Sequence, residues 1–202
     1  MKAPSSTRRW CAITADQRRS RTTDDRVPAA LAALDLPGLT LSFERTAGDE
    51  IQALTSDAAT VVEAVVRLTR VGGFRIGLGL GSVDEPLPAS TREARGTAYL
   101  VARDAVANHA APLTLLADSS SPVVTQAETA LLALVATLQR RSSEGWEVVD
   151  LIDSGLTGAG TAARLGITPS AVSQRLKAAE HTLGARLETL SVTLLEQALV
   201  AP

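Results

Sequence analysis

Four side chains near one end of the chain have the hydrogen-bonding groups needed to recognise DNA bases: Ser170, Ser173, Gln174 and Lys177. A glutamine amide offers a donor and an acceptor to adenine, a lysine reaches guanine or phosphate, and a serine is small and adaptable. At helical spacing these side chains share one outer face, while Val172 and Leu176 point back toward a core. The spacing therefore predicts a helix that reads double-stranded DNA in the major groove.

The residues before this face predict the elements that would position it. Thr157 is an N-cap for a first helix, and Gly166 ends that helix because glycine tolerates a positive φ. Thr168 is the next N-cap, and Pro169 takes the first position of the second helix. The pattern predicts a helix-turn-helix over about residues 157–180. An ordinary helical hairpin with a glycine turn is the alternative, and it needs neither the cap-proline start nor a polar, uncharged outer face.

The predicted DNA-contact set combines base-facing and phosphate-facing side chains. It comprises Thr168, Ser170, Ser173, Gln174, Arg175, Lys177 and Arg164. Arg140 and Arg141 are further phosphate candidates, although a single surface cation is more often simply solvated. Acidic residues around Ser170, Gln174 and Lys177 in the folded protein would favour a different hypothesis, in which these helices bind another protein.

The residues before position 118 alternate between strand and helix patterns. Strands are predicted at about residues 10–15, 39–46, 51–54, 74–83 and 112–117, and helices at about 27–36, 57–71 and 92–109. The order βαββαβαβ is typical of a ferredoxin-like or palm-like α+β domain with helices on one face of the sheet. Gly77, Gly79 and Gly81 fill one face of the fourth strand, which indicates close approach of a helix or a ligand.

The clearest break in the chain is the segment 118–122, which contains three serines and a proline. It predicts an α+β domain over residues 1–118 and an all-α helix-turn-helix domain over residues 123–202. A last helix, at about residues 185–199, carries four leucines at helical spacing: Leu187, Leu190, Leu194 and Leu195. These leucines either pack within the domain or form the contact of a homodimer, since many such proteins bind two half-sites.

Two carboxylates are candidates for a metal site at one edge of the predicted sheet. Asp16 ends the first strand, and Asp49 lies in the turn between the next two. In a βαββαβ sheet, the first and third strands can be neighbours. Such paired carboxylates commonly hold a Mg²⁺ ion that carries nucleotide phosphates, and Arg21, Arg75 or Arg103 would then contact phosphate. The alternative is that Asp16 caps a loop and Asp49 is an ordinary turn residue.

Several segments between about residues 10 and 110 resemble the SatD family. They are Ala12–Asp16, Ser20–Arg21, Arg26, Ala47–Leu54, Arg75–Gly81, Gly96–Ala98 and Ala102–Arg103. The Gly-Asp-Glu turn and the glycine-alternating strand also resemble class III nucleotidyl cyclases and the diguanylate cyclase turn. This resemblance implies that Asp16 and Asp49 hold metal. The C-terminal helices resemble those of small bacterial transcriptional regulators and those appended to SatD-like domains.

This sequence departs from the cyclase pattern at three places. Leu100 stands nearest the position where the cyclase helix carries an asparagine. Ala47 and Ile51 replace the ends of the diguanylate signature. The two lysines of the chain, Lys2 and Lys177, are not placed to select a purine. The resemblance therefore implies a cyclase-like fold without implying cyclase catalysis.

Composition limits the choice of function without deciding it. The formal net charge of −2 does not by itself indicate a nucleic-acid partner, but a local basic patch on a neutral chain is sufficient. Cys11 is the one cysteine; it fits a reducing compartment and a buried strand. No signal peptide or membrane span is recognisable. We therefore expect a cytoplasmic protein.

Two functions from different classes fit these patterns. The first is a two-domain transcriptional regulator, in which the N-terminal domain dimerises or senses a small-molecule effector such as a nucleotide. The second is a Mg²⁺-dependent nucleotide-handling or phosphoryl-transfer enzyme with an appended DNA-targeting module. The distance between Asp16 and Asp49 bears on the choice, because both carboxylates must reach one ion.

Overall fold

The computed structural model of the protein describes residues 9–20, 22–107, 111–119 and 121–200. It has an α+β fold, in which a five-stranded sheet carries helices on both faces. The strands are β1 (Trp10–Gln17), β2 (Leu41–Ala47), β3 (Glu50–Thr55), β4 (Phe74–Gly81) and β5 (Leu113–Ala117). Their order across the sheet is β2-β3-β1-β4-β5. Strand β1 is antiparallel to both of its neighbours, and β5 is parallel to β4.

Eight α-helices accompany the sheet within the described residues. They are α1 (Val27–Ala33), α2 (Ala58–Val71), α3 (Thr97–Ala107), α4 (Pro122–Leu138), α5 (Ser143–Asp153), α6 (Gly158–Leu165), α7 (Pro169–Ala178) and α8 (His181–Val200), and a 3₁₀ turn covers Thr91–Glu93. The order of strands and helices agrees with the predicted βαββαβαβ. None of these helices combines the length and the apolar character needed to cross a bilayer.

The two faces of the sheet are covered by different helices. Alternate residues of β1, such as Ile13, face a core to which α1, α2, α4 and α8 contribute. Ala12 faces the other way and packs with Ala98 and Ala102 of α3. The expectation that helices lie on one face only is therefore wrong. The physical reason is that Gly77, Gly79 and Gly81 leave the second face of β4 bare beyond Arg75, which makes room for a helix.

The close approach predicted from the glycines of β4 is made by helix α3. A Cβ atom added to Gly79 would lie 2.1 Å from the carbonyl oxygen of Ala98, and one added to Gly77 would lie 2.3 Å from that of Ala102. At Gly81 the added atom would meet the Thr97 hydroxyl at 2.4 Å. The backbones of strand and helix thus touch along the whole of α3, so its position on the sheet is fixed closely.

The core under the sheet extends beyond the break predicted at residues 118–122. Leu131 and Leu134 of α4 and Leu195 of α8 are fully buried in the same apolar cluster as Ile13. A second, much smaller core joins α5, α6 and α7. The helices before and after this trio therefore belong to the packing of the sheet, although all of them follow the predicted boundary in sequence.

Candidate nucleic-acid interface

Helices α6 and α7 begin at the residues that the sequence predicts, and α6 also ends where it predicts. The Thr157 hydroxyl accepts a hydrogen bond from the Gly160 amide at 3.1 Å, and the Thr168 hydroxyl accepts one from the Ala171 amide at 3.1 Å. Gly166 ends α6 in the left-handed conformation, with φ 65° and ψ 30°. Each N-cap pairs an amide that a helix end otherwise leaves without a partner, so both starts are sharply defined.

A compact apolar core holds the two helices together. Val172 of α7 and Ala162 of α6 are buried against Val148 of α5, where the small alanine side chain allows a close contact. Four partly buried side chains complete this core: Ile152, Leu165, Ile167 and Leu176. The orientation of α7 is therefore set by α5 and α6 together.

The face of α7 that points away from this core is polar and exposed. Ser170, Ser173, Gln174 and Lys177 are exposed, as are Thr168 and Arg164. The Ser173 hydroxyl donates to the Pro169 carbonyl at 3.1 Å, while the Thr168 hydroxyl is occupied by its cap. Arg175 differs from the others, because it turns toward α5 and lies 3.7 Å from Glu147. The structure thus brings six of the seven predicted contact residues to the surface.

The segment that carries this face is positively charged. Residues 157–179 contain Arg164, Arg175 and Lys177 and no aspartate or glutamate, so their formal charge is +3 in a chain of −2. A phosphate backbone is attracted to such a local excess regardless of the overall charge. On α5, by contrast, Glu147 is drawn toward Arg175 and lowers the charge available on that side.

Arg141, a predicted phosphate candidate, has a structural role instead. Its guanidinium lies 4.7 Å from the centre of the Trp146 ring and donates to the Ala179 carbonyl at 2.8 Å. Burial lowers the pKa of Arg141, with nearby Glu188 and Asp153 acting in the opposite direction. The neighbouring Arg140 is exposed and keeps its place among the candidates.

Of the two carboxylates predicted to bind metal, Asp16 lies at the end of β1 and Asp49 in the β2–β3 turn, and Asp16 already has a cationic partner. The backbone N–H of Gln17 donates to the backbone carbonyl of Asp49 at 3.3 Å, which places the β2–β3 turn beside the end of β1. Asp16 stands opposite Arg75 on β4, and Arg75 donates to its carboxylate at 2.5 Å. Arg21, a predicted phosphate contact, lies outside the described residues. The edge of the sheet therefore presents an ion pair beside a turn.

This arrangement fits a Mg²⁺ site poorly. The ion favours carboxylate oxygens that are free to coordinate it, and a guanidinium close by competes through both charge and space. Among the described residues there is no group of three or more histidine, cysteine, aspartate or glutamate side chains placed to hold a metal. The assignment of Asp16 and Asp49 to metal binding stays a prediction.

A cleft on the sheet face beside α3 is a feature that the sequence patterns did not indicate. It has a volume of about 700 Å³ and is lined by residues of β2, β3, the loop before α3, and α3 itself. Three arginines, Arg92, Arg95 and Arg103, line it, but only Arg103 was singled out by sequence reasoning. The other two follow a proline-containing loop, and no local pattern ties that loop to the sheet.

Comparison with known proteins gives one weak structural neighbour. No protein-family model matches the chain, and no curated protein matches it either. A solved structure described as a regulator of polyketide synthase expression from Bifidobacterium adolescentis is similar to this chain at 18% identity, over 94% of this chain and 81% of that one, with a TM-score of 0.28. The resemblance to the SatD family rests on the quoted residues alone.

Proposed function

We propose that this protein is a transcriptional regulator that binds double-stranded DNA through α6 and α7, acting as a helix-turn-helix. Helix α7 enters the major groove, where the residues in its first turns meet base edges. Gln174 and Ser170 read bases, and Ser173 contributes an adaptable hydroxyl. Lys177 and Arg164 reach bases or the phosphate backbone at the margins of the contact. Thr168 starts the helix, and Arg175 reaches phosphate from its position beside Glu147.

One observation carries this proposal: a sharply capped helix presents uncharged polar side chains, with Lys177 beside them, within a segment of formal charge +3. A helical hairpin that only fills a core has no requirement for exposed Gln174 and Ser170 beside cations. A face for an acidic protein partner would use more charge on α7 itself. The protein-docking alternative predicts acidic residues around the polar face. Residues 157–179 contain no aspartate or glutamate.

We further propose that the protein acts as a homodimer, with a second copy seated in the groove between α4 and α8. This groove of about 610 Å³ is lined by Leu187, Leu190 and Leu194 together with the alanines and threonines of α4. Leu190 is 47% exposed, whereas Leu195 on the opposite side of the same helix is fully buried. The lining has no charged side chain, so two copies can meet there without electrostatic repulsion.

DNA binding is tested by fluorescence anisotropy with duplex fragments from around the gene for this protein, at about 50 and about 200 mM salt. We expect affinity to fall with salt, and the double variant Gln174→Ala/Lys177→Ala to lose about 1–3 kcal/mol for each base contact removed. The matched control is Gln197→Ala/Arg18→Ala, which removes one glutamine and one cation from exposed positions outside α6, α7 and the cleft beside α3. Equal binding by the two double variants would contradict the proposal.

The dimer is tested by sedimentation velocity. Leu190→Asp should convert the dimer to a monomer, because it places a charge in the apolar groove. Leu183→Asp is the control, since Leu183 is 45% exposed on the same helix but does not line the groove. If the wild type is a monomer, or if both variants dissociate equally, the dimer proposal is wrong and the leucines of α8 serve only packing within one chain.

The enzymatic alternative has a separate test. Isothermal titration of Mg²⁺ into the wild type and into Asp49→Asn would reveal a site shared by Asp16 and Asp49. Heat released by the wild type and abolished by Asp49→Asn would support that alternative. Equal traces would remove it, leaving the DNA proposal unaffected.

A further inference from the structure

We propose that the cleft beside α3 is a binding site for a small organic anion, one with a phosphate or carboxylate group attached to a flat apolar part. The proposal adds a ligand site to the regulator described above. Only its regulatory consequence rests on the proposed DNA binding; the binding of the anion is measured without DNA. The arguments come from the size, the charge and the polar groups of the cleft.

The cleft has the size of a ligand site. Its volume of about 700 Å³ falls within the range of roughly 300–1,000 Å³ that is usual for pockets that bind small molecules. Its floor includes Gln52 on β3, which is 2% exposed and donates to the Thr14 hydroxyl at 3.2 Å. The ring of Tyr99 and the side chain of Leu100 give it apolar walls, and Leu100 is 62% exposed.

The charge of the cleft favours an anion. Arg92, Arg95 and Arg103 line it against a single carboxylate, that of Asp84. Arg92 has a partner, since it lies 3.7 Å from Glu44. Within the part of the chain that the structure describes, no carboxylate lies within 4.0 Å of the guanidinium of Arg95 or Arg103. Thr97, in the first turn of α3, also lines the cleft, so the positive end of that helix dipole points to the same region.

A buried hydroxyl in the wall has no hydrogen-bond partner. Tyr99 is 5% exposed, and its phenolic oxygen is among the buried polar atoms left unsatisfied within the described residues. A buried hydroxyl without a partner destabilises a protein, so its presence next to a cleft indicates a group completed by a ligand. Burial and nearby Glu44 raise the pKa of Tyr99, which keeps the phenol protonated and able to donate.

The cleft also has a polar connection to the helix that follows α7. The Thr97 hydroxyl donates to the Asp118 carboxylate at 3.2 Å, and Asp118 pairs with Arg9 at 3.2 Å. Arg9 in turn donates to the Ala198 carbonyl of α8 at 3.5 Å. A ligand that displaces the start of α3 would therefore act on α8, and through it on α7. Such coupling requires the ligand to bind with different affinities to two conformations of the protein, one that can bind DNA and one that cannot.

The test is a calorimetric titration of the full chain with phenyl phosphate, phthalate and inorganic phosphate, with phenol as the uncharged control. We expect phenyl phosphate or phthalate to bind at least tenfold more tightly than inorganic phosphate, because the ring covers Leu100 and Tyr99. The tighter of the two identifies the head group. Phenol should not bind measurably. No binding by either aromatic anion at millimolar concentration would overturn the proposal.

Two variants locate the site. Arg103→Gln should weaken the tighter probe at least fivefold, while Arg186→Gln, which removes an exposed arginine of α8 outside the cleft, should leave it within twofold. Tyr99→Phe should weaken binding and raise the melting temperature of the free protein, because it removes the unsatisfied hydroxyl. Equal losses in Arg103→Gln and Arg186→Gln would mean that the anion responds only to overall charge, and would sink the assignment. DNA affinity, measured without probe, reports separately on the function proposed for α6 and α7.

Discussion

Arg70 of α2 forms a two-point ion pair with Asp150 of α5, with nitrogen-to-oxygen distances of 2.8 and 2.6 Å. Its guanidinium also lies 4.8 Å from the centre of the Trp146 ring, and the guanidinium of Arg141 lies 4.7 Å from the same ring centre. This joint links a helix of the sheet body to the helix on which α6 and α7 pack. The orientation of the candidate DNA-reading helices relative to the sheet therefore depends on side chains far apart in sequence.

Breaking this joint should have a measurable but modest effect on stability. Both side chains are 45% exposed, so solvent weakens their attraction. A double-mutant cycle with Arg70→Ala and Asp150→Ala should give a coupling of about 0.5–1 kcal/mol by urea unfolding, at the upper end for exposed pairs because the contact is two-point. The pair Arg67–Glu63 on the same helix is similarly exposed and serves as control, with about 0.3–0.5 kcal/mol expected. A larger coupling for the control would contradict the importance of the joint.

The contact between β4 and α3 predicts a strong effect of one added methyl group. Gly79→Ala should lower the free energy of unfolding by about 1–3 kcal/mol, because the new Cβ lies 2.1 Å from a backbone oxygen that can move only with the whole helix. Gly158→Ala is the matched control, since a Cβ there meets nothing within 4 Å and α6 gains helix propensity. The control should be neutral or slightly stabilising. Unfolding in urea measures both, and equal values would mean that α3 is not held tightly to the strand.

The cap of α7 gives a prediction about local structure. Thr168→Ala should destabilise the protein by about 1 kcal/mol, because the Ala171 amide loses its acceptor. Thr168→Ser keeps the hydroxyl and should remain close to the wild type. Hydrogen exchange of the Ala171 amide is the more specific readout: it should accelerate in the alanine variant only. Unchanged exchange would show that the cap does not hold the first turn.

Cys11 predicts a pH dependence on the alkaline side. Burial raises the pKa of its thiol to about 12 from an ordinary value of 9.0. The unfolded chain therefore releases the proton first, so the free energy of unfolding is unaffected by this group below about pH 9. Above it, stability should fall by roughly 1.4 kcal/mol per pH unit until the folded thiol also ionises.

Cys11→Ala provides the comparison, since it lacks this ionisation and should show a flatter decline between pH 9 and pH 10.5. The native thiol should also react slowly with iodoacetamide at pH 8, because the thiolate is the reactive form. Parallel pH curves for the two proteins, or rapid alkylation of the native state, would show that Cys11 is accessible.

The sequence predicts the local features of the fold more completely than its long-range ones. Thr157, Gly166 and Thr168 define α6 and α7 because capping and a positive φ depend on neighbours within a few residues. The glycines of β4 indicate the approach of α3 for a similar reason: only close packing requires a bare strand face. These features could be read from composition and spacing alone.

The features that escaped prediction join residues distant in the chain. Arg70 and Asp150 are 80 positions apart, and nothing near either one signals the other. The apolar run of β1 shows that both of its faces are apolar, but it does not show which helices cover them. The prediction that all helices lie on one face was wrong for this reason. The cleft was missed for the same reason, because Arg95 and Tyr99 meet Gln52 only after the sheet has formed.

The packing of the last helix has a consequence for biosynthesis. The Arg9 amide donates to the Leu199 carbonyl at 3.1 Å, and Leu195 fills the core beneath the strands. All five strands leave the ribosome before α8 is made, so the core that α1, α2 and α4 share with the sheet stays open where Leu195 will lie. Chains truncated after α7 should consequently expose part of this core and bind molecular chaperones.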